Sequence, residues 1–198
     1  REMTYEDFDV GLASLSSIIS HLRDPDPDLS ANKSLFQRTL RSALSVYIST
    51  KRYLEEVRPS CVYIFNGRFA ATRAVLRACQ AKGVTFVLHE RGSSLDRFGL
   101  WRDAMIHDKE AWQNGVIESW ENTSDEALKE RIGSEFFLER ARGVMQTWYS
   151  FTDKQAEGKL PSSWRSDCKN LVLFLSSEDE NEATVKAAGA IYDTQTDG

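Results

Sequence analysis

The stretch Cys61-Val62-Tyr63-Ile64-Phe65-Asn66-Gly67-Arg68 decides how this sequence is expected to fold. Its first five residues form a short, continuous apolar run rich in β-formers, which predicts a strand buried on both faces. A helix is predicted over residues 70–82, because alanine, valine and cysteine recur there at core spacing and Gly83 can end it. Val84-Thr85-Phe86-Val87-Leu88 predicts a second buried strand. Strand, helix and strand within about 30 residues predict a βαβ unit with parallel strands.

The segments on either side of this unit are predicted to be mainly helical. Apolar residues from Phe8 to Leu22 recur at helical spacing, the run Asp24-Pro25-Asp26-Pro27-Asp28 interrupts the pattern, and a long second helix ends at Arg58-Pro59. The carboxyl side contains five further predicted segments: a loop from Arg91 to Arg102, helices capped by Asp108 and Ser124, a linker from Glu157 to Lys169, and a third buried strand at Asn170–Leu175.

These patterns predict an α/β fold with a Rossmann-like parallel sheet flanked by helices in a helix-rich chain. We expect residues 1–168 to form one Rossmann-like domain with a helical amino-terminal segment. Residues 169–198 are expected to form a strand-helix unit, which can be the start of a second, donor-side domain. The chain begins at Arg1 and stops just after this short unit, so we expect it to be a piece of a longer protein that includes a further carboxyl-terminal domain.

Composition narrows the class of protein. The 198 residues carry a net charge of −5 with a pI of about 5.3, which gives no sign of a nucleic-acid partner. Three cysteines without CxxC spacing favour reduced thiols in a cytoplasmic protein and indicate no zinc site. No apolar run approaches the roughly 20 residues of a membrane span.

Ligands of parallel α/β sheets bind at the carboxyl ends of strands, and three predicted strand ends carry polar residues. Asn66-Gly67-Arg68 offers an amide, a glycine for close backbone approach and a guanidinium at a helix start, where anions are favoured. His89-Glu90-Arg91 offers two candidate bases and an arginine that can hold a phosphate or carboxylate. Ser176–Glu180 is the third end, and serine with acids is also what an ordinary helix start prefers.

Each of these groups also has a purely structural interpretation. Asn66-Gly67-Arg68 can be a plain turn with a solvated arginine, and His89 with Glu90 can brace a loop. Adjacent strand residues face opposite sides of a sheet, so His89 and Glu90 need not share a pocket. The acidic run from Asp24 to Asp28 resembles a metal-holding DxD pair, but it follows a helix and contains prolines, which favours a loop.

Several of these motifs together resemble the glycosyltransferase type of bacterial capsule and surface-polysaccharide biosynthesis proteins. The resemblance spans roughly residues 60 to 195. It is carried by five segments: Phe65-Asn66-Gly67-Arg68, the arginine-containing helix Arg73–Cys79, His89-Glu90-Arg91-Gly92, the stretch from Ser150 to Trp164, and the strand leading into Ser176–Glu180.

The resemblance implies a GT-B architecture, in which two Rossmann-like halves face a cleft. This chain would be the amino-terminal, acceptor-side half. Glu90 or His89 would be the catalytic base, while Asn66, Gly67, Arg68 and Arg91 would bind substrate. The partners would be a glycan acceptor and a nucleotide-sugar donor, with no metal and no other cofactor. Because the donor half is expected elsewhere, the isolated chain is predicted to bind nucleotide sugars weakly and can be inactive alone.

Two other functions are also compatible with the sequence. A non-catalytic glycan-binding or assembly module would keep the fold without the chemistry. A phosphate-ester or nucleotide enzyme on a flavodoxin-like sheet would instead use the Ser176–Glu180 turn with a metal ion.

Overall fold

A computed structural model of the chain describes residues 2–92, 97–106, 108–142, 160 and 162–172. Within this part, five helices and three strands form a mixed α/β structure, in the order α1 (Val10–Leu22), α2 (Lys33–Val57), β1 (Val62–Phe65), α3 (Ala70–Lys82), β2 (Phe86–Arg91), β3 (Phe98–Arg102), α4 (Lys109–Asn122) and α5 (Glu126–Ala141). None of the helices in these ranges is both long enough and apolar enough to span a membrane.

The predicted βαβ unit is confirmed. Strands β1 and β2 pair in parallel with Val62 opposite Phe86 and Phe65 opposite His89, and α3 connects them. Gly83 ends α3 in the left-handed conformation, and its N–H donates to the carbonyl oxygens of the last turn. The residue pattern predicted this unit because continuous apolar strands and a glycine stop are local signals.

The predicted loop from Arg91 to Arg102 is wrong at both ends. Strand β2 continues through Arg91, and residues 98–102 form β3. The N–H of Gly92 donates to Arg97 O over 2.9 Å and that of Asp103 donates to Phe86 O over 2.9 Å, so β3 returns antiparallel beside β2. The sheet order is therefore β1-β2-β3, with one parallel and one antiparallel pair. Hairpin pairing depends on contacts across the turn, which the polar composition of this stretch does not reveal.

Burial of β1 also differs from the prediction. Ile64 and Leu88 are buried beneath α3, whereas Tyr63 is 67% exposed and Phe65 is 45% exposed. The strand is thus buried on one face only. A continuous apolar run cannot show which of its residues are covered, because the covering helices come from elsewhere in the chain.

The described residues form two compact units. The first contains residues up to Glu90 and Leu100–Trp112. Its core lies between the sheet and the packed helices α1, α2 and α3, and includes Phe8, Tyr47, Leu54, Ile64, Leu76 and Leu88. The second contains residues 91–99 and those described from Gln113 on. In it, Lys129 Nζ lies 4.7 Å from the ring centroid of Trp120.

Two carboxyl-side details modify the predictions. Asp108 caps α4 as expected, because its side chain accepts the N–H of Ala111 at 3.0 Å. The cap of α5 is Asp125 and not the predicted Ser124: the Asp125 side chain accepts the N–H of Leu128 at 3.0 Å. Of the predicted third strand, Leu171 and Val172 are exposed and not in a strand, while Leu173–Leu175 lies outside the described residues. The proposed division at residue 168 stays a prediction.

Candidate functional site

The turn after β1 is tightly packed against the core. Asn66 and Gly67 both adopt left-handed backbone conformations, with φ of 60° and 78°. A Cβ on Gly67 would lie 3.0 Å from both Cδ atoms of Leu88 and 3.1 Å from Cδ1 of Leu76. Glycine therefore meets two demands here, a positive φ and close approach of the backbone to the core. This fixes where the chain leaves β1 and enters α3.

Both side-chain polar groups of Asn66 and its backbone N–H are hydrogen-bonded. Its N–H donates to His89 O at 3.0 Å, its Nδ2 donates to Glu90 Oε2 at 2.5 Å, and its Oδ1 accepts the N–H of Arg68 at 3.2 Å. The residue is only 9% exposed. These contacts give Asn66 the geometry of a residue that positions Glu90 and shapes the turn, rather than one that reaches toward a ligand.

His89 and Glu90 lie on opposite faces of the sheet. The Glu90 carboxylate meets Asn66 on the face covered by α3, whereas the His89 ring packs against Phe65, with centroids 5.5 Å apart, on the other face. The structure thus brings the Glu90 side chain, but not the His89 side chain, to the Asn66-Gly67-Arg68 turn. The alternation of strand side chains explains this separation of the two predicted bases.

The predicted arginines occupy different surroundings. Arg68 is half-buried, and its guanidinium carbon lies 4.5 Å from the ring centroid of Phe69. Arg91 is the exposed last residue of β2 and belongs to the second compact unit. Arg68 and the amino end of α3 directly follow the turn that contains Asn66, and together they favour an anionic group there.

The amino end of α3 is fastened to α1. No side chain of Phe69 caps it, and the N–H of Ala70 is bonded by Ser17 Oγ at 2.8 Å. Because α3 begins directly after the turn, this bond holds the turn in place relative to the helical layer. Sequence reasoning missed Ser17, since nothing in its neighbourhood along the chain distinguishes it from the other serines of α1.

Two arginines of α3, Arg73 and Arg77, form ion pairs with Asp9 near the start of α1. Arg73, 1% exposed, donates from Nε and Nη2 to the Asp9 carboxylate at 2.5–3.0 Å, and Arg77 donates to the same carboxylate at 2.9–3.1 Å. Burial alone raises the pKa of the Asp9 carboxyl, but the hydrogen bonds from Arg73 and Arg77 outweigh it and hold that pKa well below its usual range. Asp9 therefore ties the start of α1 to α3. No sequence signal predicted this long-range contact.

Among residues 2–92, 97–106, 108–142, 160 and 162–172, no three histidine, cysteine, aspartate or glutamate side chains are grouped as a metal site would require. The Ser176–Glu180 turn, the sequence candidate for metal-dependent hydrolysis, lies outside the described residues.

Comparisons of the chain with protein-family models, with curated proteins and with solved structures give no match. The resemblance to polysaccharide biosynthesis transferases therefore stays a prediction from the motif residues.

Proposed function

We propose that this chain is the acceptor-side part of a cytoplasmic glycosyltransferase in capsule or surface-polysaccharide biosynthesis. The observation that carries the proposal is the 2.5 Å hydrogen bond from Asn66 Nδ2 to Glu90 Oε2 at the carboxyl edge of two parallel strands. It positions a carboxylate where ligands of parallel sheets bind, beside a helix amino terminus. The motif resemblance supplies the reaction class.

In the proposed reaction, Glu90 accepts the proton of an acceptor hydroxyl. The acceptor oxygen forms a bond to the anomeric carbon of a nucleotide sugar as the bond from that carbon to phosphate breaks. The electron pair of the broken bond goes to the phosphate oxygen, and the nucleoside phosphate leaves. Arg68 and the amino end of α3 interact with anionic groups of the leaving group or the acceptor. Arg91, which the sequence predicts to bind substrate, belongs to the second compact unit and is given no role in this step. No metal or further cofactor takes part.

Asn66 has a positioning role in this proposal. Its amide holds one carboxylate oxygen of Glu90, which limits the orientation of the carboxylate at the sheet edge. His89 is the alternative base, on the opposite face beside Phe65. Since the two side chains occupy different faces, a single acceptor hydroxyl uses one or the other.

The decisive experiment compares Glu90→Gln with His89→Ala in the full-length gene product. Glutamine still accepts the hydrogen bond from Asn66 but is not a base, so the turn is retained. We expect Glu90→Gln to lower turnover by about 10²–10⁴ with acceptor affinity nearly unchanged, because general-base catalysis acts in the transition state. His89→Ala is expected to change turnover much less.

Melting temperature measured on the same samples separates catalysis from folding. If Glu90→Gln leaves turnover per folded molecule unchanged, Glu90 is not the base. If His89→Ala alone abolishes turnover, the base is His89. Arg68→Ala should weaken binding of the anionic substrate while the protein stays folded.

A non-catalytic glycan-binding module is the second candidate, and one observation favours it. The Asn66–Glu90 hydrogen bond also suits a carboxylate that only braces the turn. In that case acceptor binding would persist without any nucleotide-sugar turnover. Stability would fall in Glu90→Ala but not in Glu90→Gln, which preserves the hydrogen-bond acceptor.

A further inference from the structure

The sheet face opposite α3 contains several exposed side chains in the first compact unit. Tyr63 and Phe65 project from β1, and His89 lies beside Phe65. Val87 is opposite Tyr63 in the parallel pair and is only 7% exposed. The antiparallel pairing of β3 places Leu100 opposite His89 and Arg102 opposite Val87. We call the accessible residues of this side the open sheet face: Tyr63, Phe65, His89, Leu100 and Arg102.

Three apolar side chains of the open sheet face are exposed, whereas neighbouring side chains on the other side of the sheet are buried. Tyr63, Phe65 and Leu100 are each exposed by nearly half or more, while Ile64 and Leu88, which point to the other side, are buried. Scattered exposed apolar residues are normal, but several that are adjacent on one surface indicate an interaction site.

The open sheet face begins at the same edge as the candidate site. Phe65 directly precedes Asn66, and His89 directly precedes Glu90, so the two surfaces meet at the carboxyl ends of β1 and β2. A ligand longer than one ring that reached Glu90 over this edge would therefore continue across Phe65 and toward Tyr63. The two rings are two residues apart along the strand, about 6.6 Å.

The polar groups of this face indicate the kind of ligand. Arg102 supplies a guanidinium on a side chain that is 77% exposed. Asp103 Oδ2 lies 3.9 Å from Arg102 Nε, while Asp103 Oδ1 accepts the N–H of Phe86. His89 adds an imidazole beside the Phe65 ring. An apolar protein partner would have to remove water from both groups without compensation, whereas an acidic sugar offers stacking area and a negative charge together.

We propose that the open sheet face is an extended acceptor subsite that binds an acidic oligosaccharide, with sugar rings on Tyr63 and Phe65 and a carboxylate near Arg102. The choice of an oligosaccharide rests on the proposed function. The subsite itself is a separate surface from the Glu90 turn, so it is tested by binding and not by turnover.

The test measures binding of a uronate-containing hexasaccharide to the full chain by calorimetry, with hyaluronan hexasaccharide as the probe and neutral maltohexaose for comparison. Tyr63→Leu and Phe65→Leu keep an apolar side chain but remove the aromatic ring. We expect each to weaken hyaluronan binding about tenfold. Arg102→Gln should weaken hyaluronan binding and reduce its salt dependence, and leave maltohexaose binding unchanged.

Tyr53→Leu is the matched control, because Tyr53 is a similarly exposed tyrosine on α2 and not on the sheet. Its affinity for the probe should equal that of the unmodified chain. Melting temperatures of all four variants show that they are folded.

The outcomes separate this inference from the proposed function. Hyaluronan binding that is lost in Tyr63→Leu and Phe65→Leu supports the subsite. Binding that is insensitive to both, or absent in the unmodified chain, overturns it, while the Glu90→Gln turnover experiment stands on its own. A dimer in sedimentation that dissociates in Tyr63→Leu would also overturn it, because a second copy would then cover the face.

Discussion

Replacing Asp9 with alanine is expected to destabilise the first compact unit by about 3 kcal/mol. The Arg73 side chain is 2% exposed and the Asp9 side chain is 21% exposed, and their closest nitrogen–oxygen distance is 2.5 Å. Removing one partner of a buried ion pair typically costs about 3–5 kcal/mol, because the other charge is left buried without a counter-ion. The lower end of that range applies because Asp9 is partly in contact with water and Arg77 is 30% exposed.

The loss should depend on pH in a defined direction. The folded-state pKa of Asp9 is depressed below its unfolded value of about 3.9, chiefly because the Arg73 and Arg77 hydrogen bonds outweigh the effect of burial. A group of this kind stabilises the fold above its unfolded pKa and loses that contribution as pH falls toward the folded pKa. The difference in unfolding free energy between the unmodified chain and Asp9→Ala should therefore be full near pH 7 and shrink below about pH 4.

The assay is urea unfolding followed by circular dichroism at pH 7 and at several acidic values. Glu55→Ala is the control: it removes the acid of the exposed Lys82–Glu55 pair and should change stability little. The double variant Asp9→Ala/Arg73→Met should be more stable than the sum of the two single losses predicts, because it removes both charges together. A loss below about 1 kcal/mol for Asp9→Ala, or strict additivity, would refute the buried-charge argument.

Three further predictions concern the βαβ unit. Gly67→Ala should destabilise the chain more than Gly83→Ala in thermal unfolding. Both glycines have a positive φ, but only a Cβ at Gly67 would meet core atoms at about 3 Å. Equal losses would contradict the packing argument. Leu88→Ala should cost about 2–5 kcal/mol in urea unfolding, since the side chain is fully buried, and a loss below 1 kcal/mol would show that the core collapses around it. Iodoacetamide at pH 8 should modify Cys168 much faster than Cys79 by mass spectrometry, because burial raises the pKa of the Cys79 thiol to about 11; equal rates would show that α3 opens readily.

Local sequence patterns predicted some features of the candidate site, and long-range contacts decided others. The sequence placed polar residues at two strand ends, and the parallel pairing brought Asn66 and Glu90 together. It could not tell that Asn66 would be nearly buried and hydrogen-bonded through its N–H, Nδ2 and Oδ1, because that depends on the positive φ of the turn and on its packing against Leu88. The sequence left open whether His89 and Glu90 share a pocket, and in the structure the His89 side chain lies on the opposite face from Glu90.

By itself, the sequence determined the helices and the parallel pair β1–β2, because apolar spacing, a glycine stop and continuous β-rich runs act over a few residues. Tertiary structure alone decided the return of β3, the one-sided burial of β1 and the Asp9–Arg73 ion pair. The return of β3 depends on its backbone pairing with β2, and the other two join residues far apart in the chain or depend on which face a distant helix covers. Local spacing carries no information about such contacts, since their free energy arises only when the folded chain removes those groups from water.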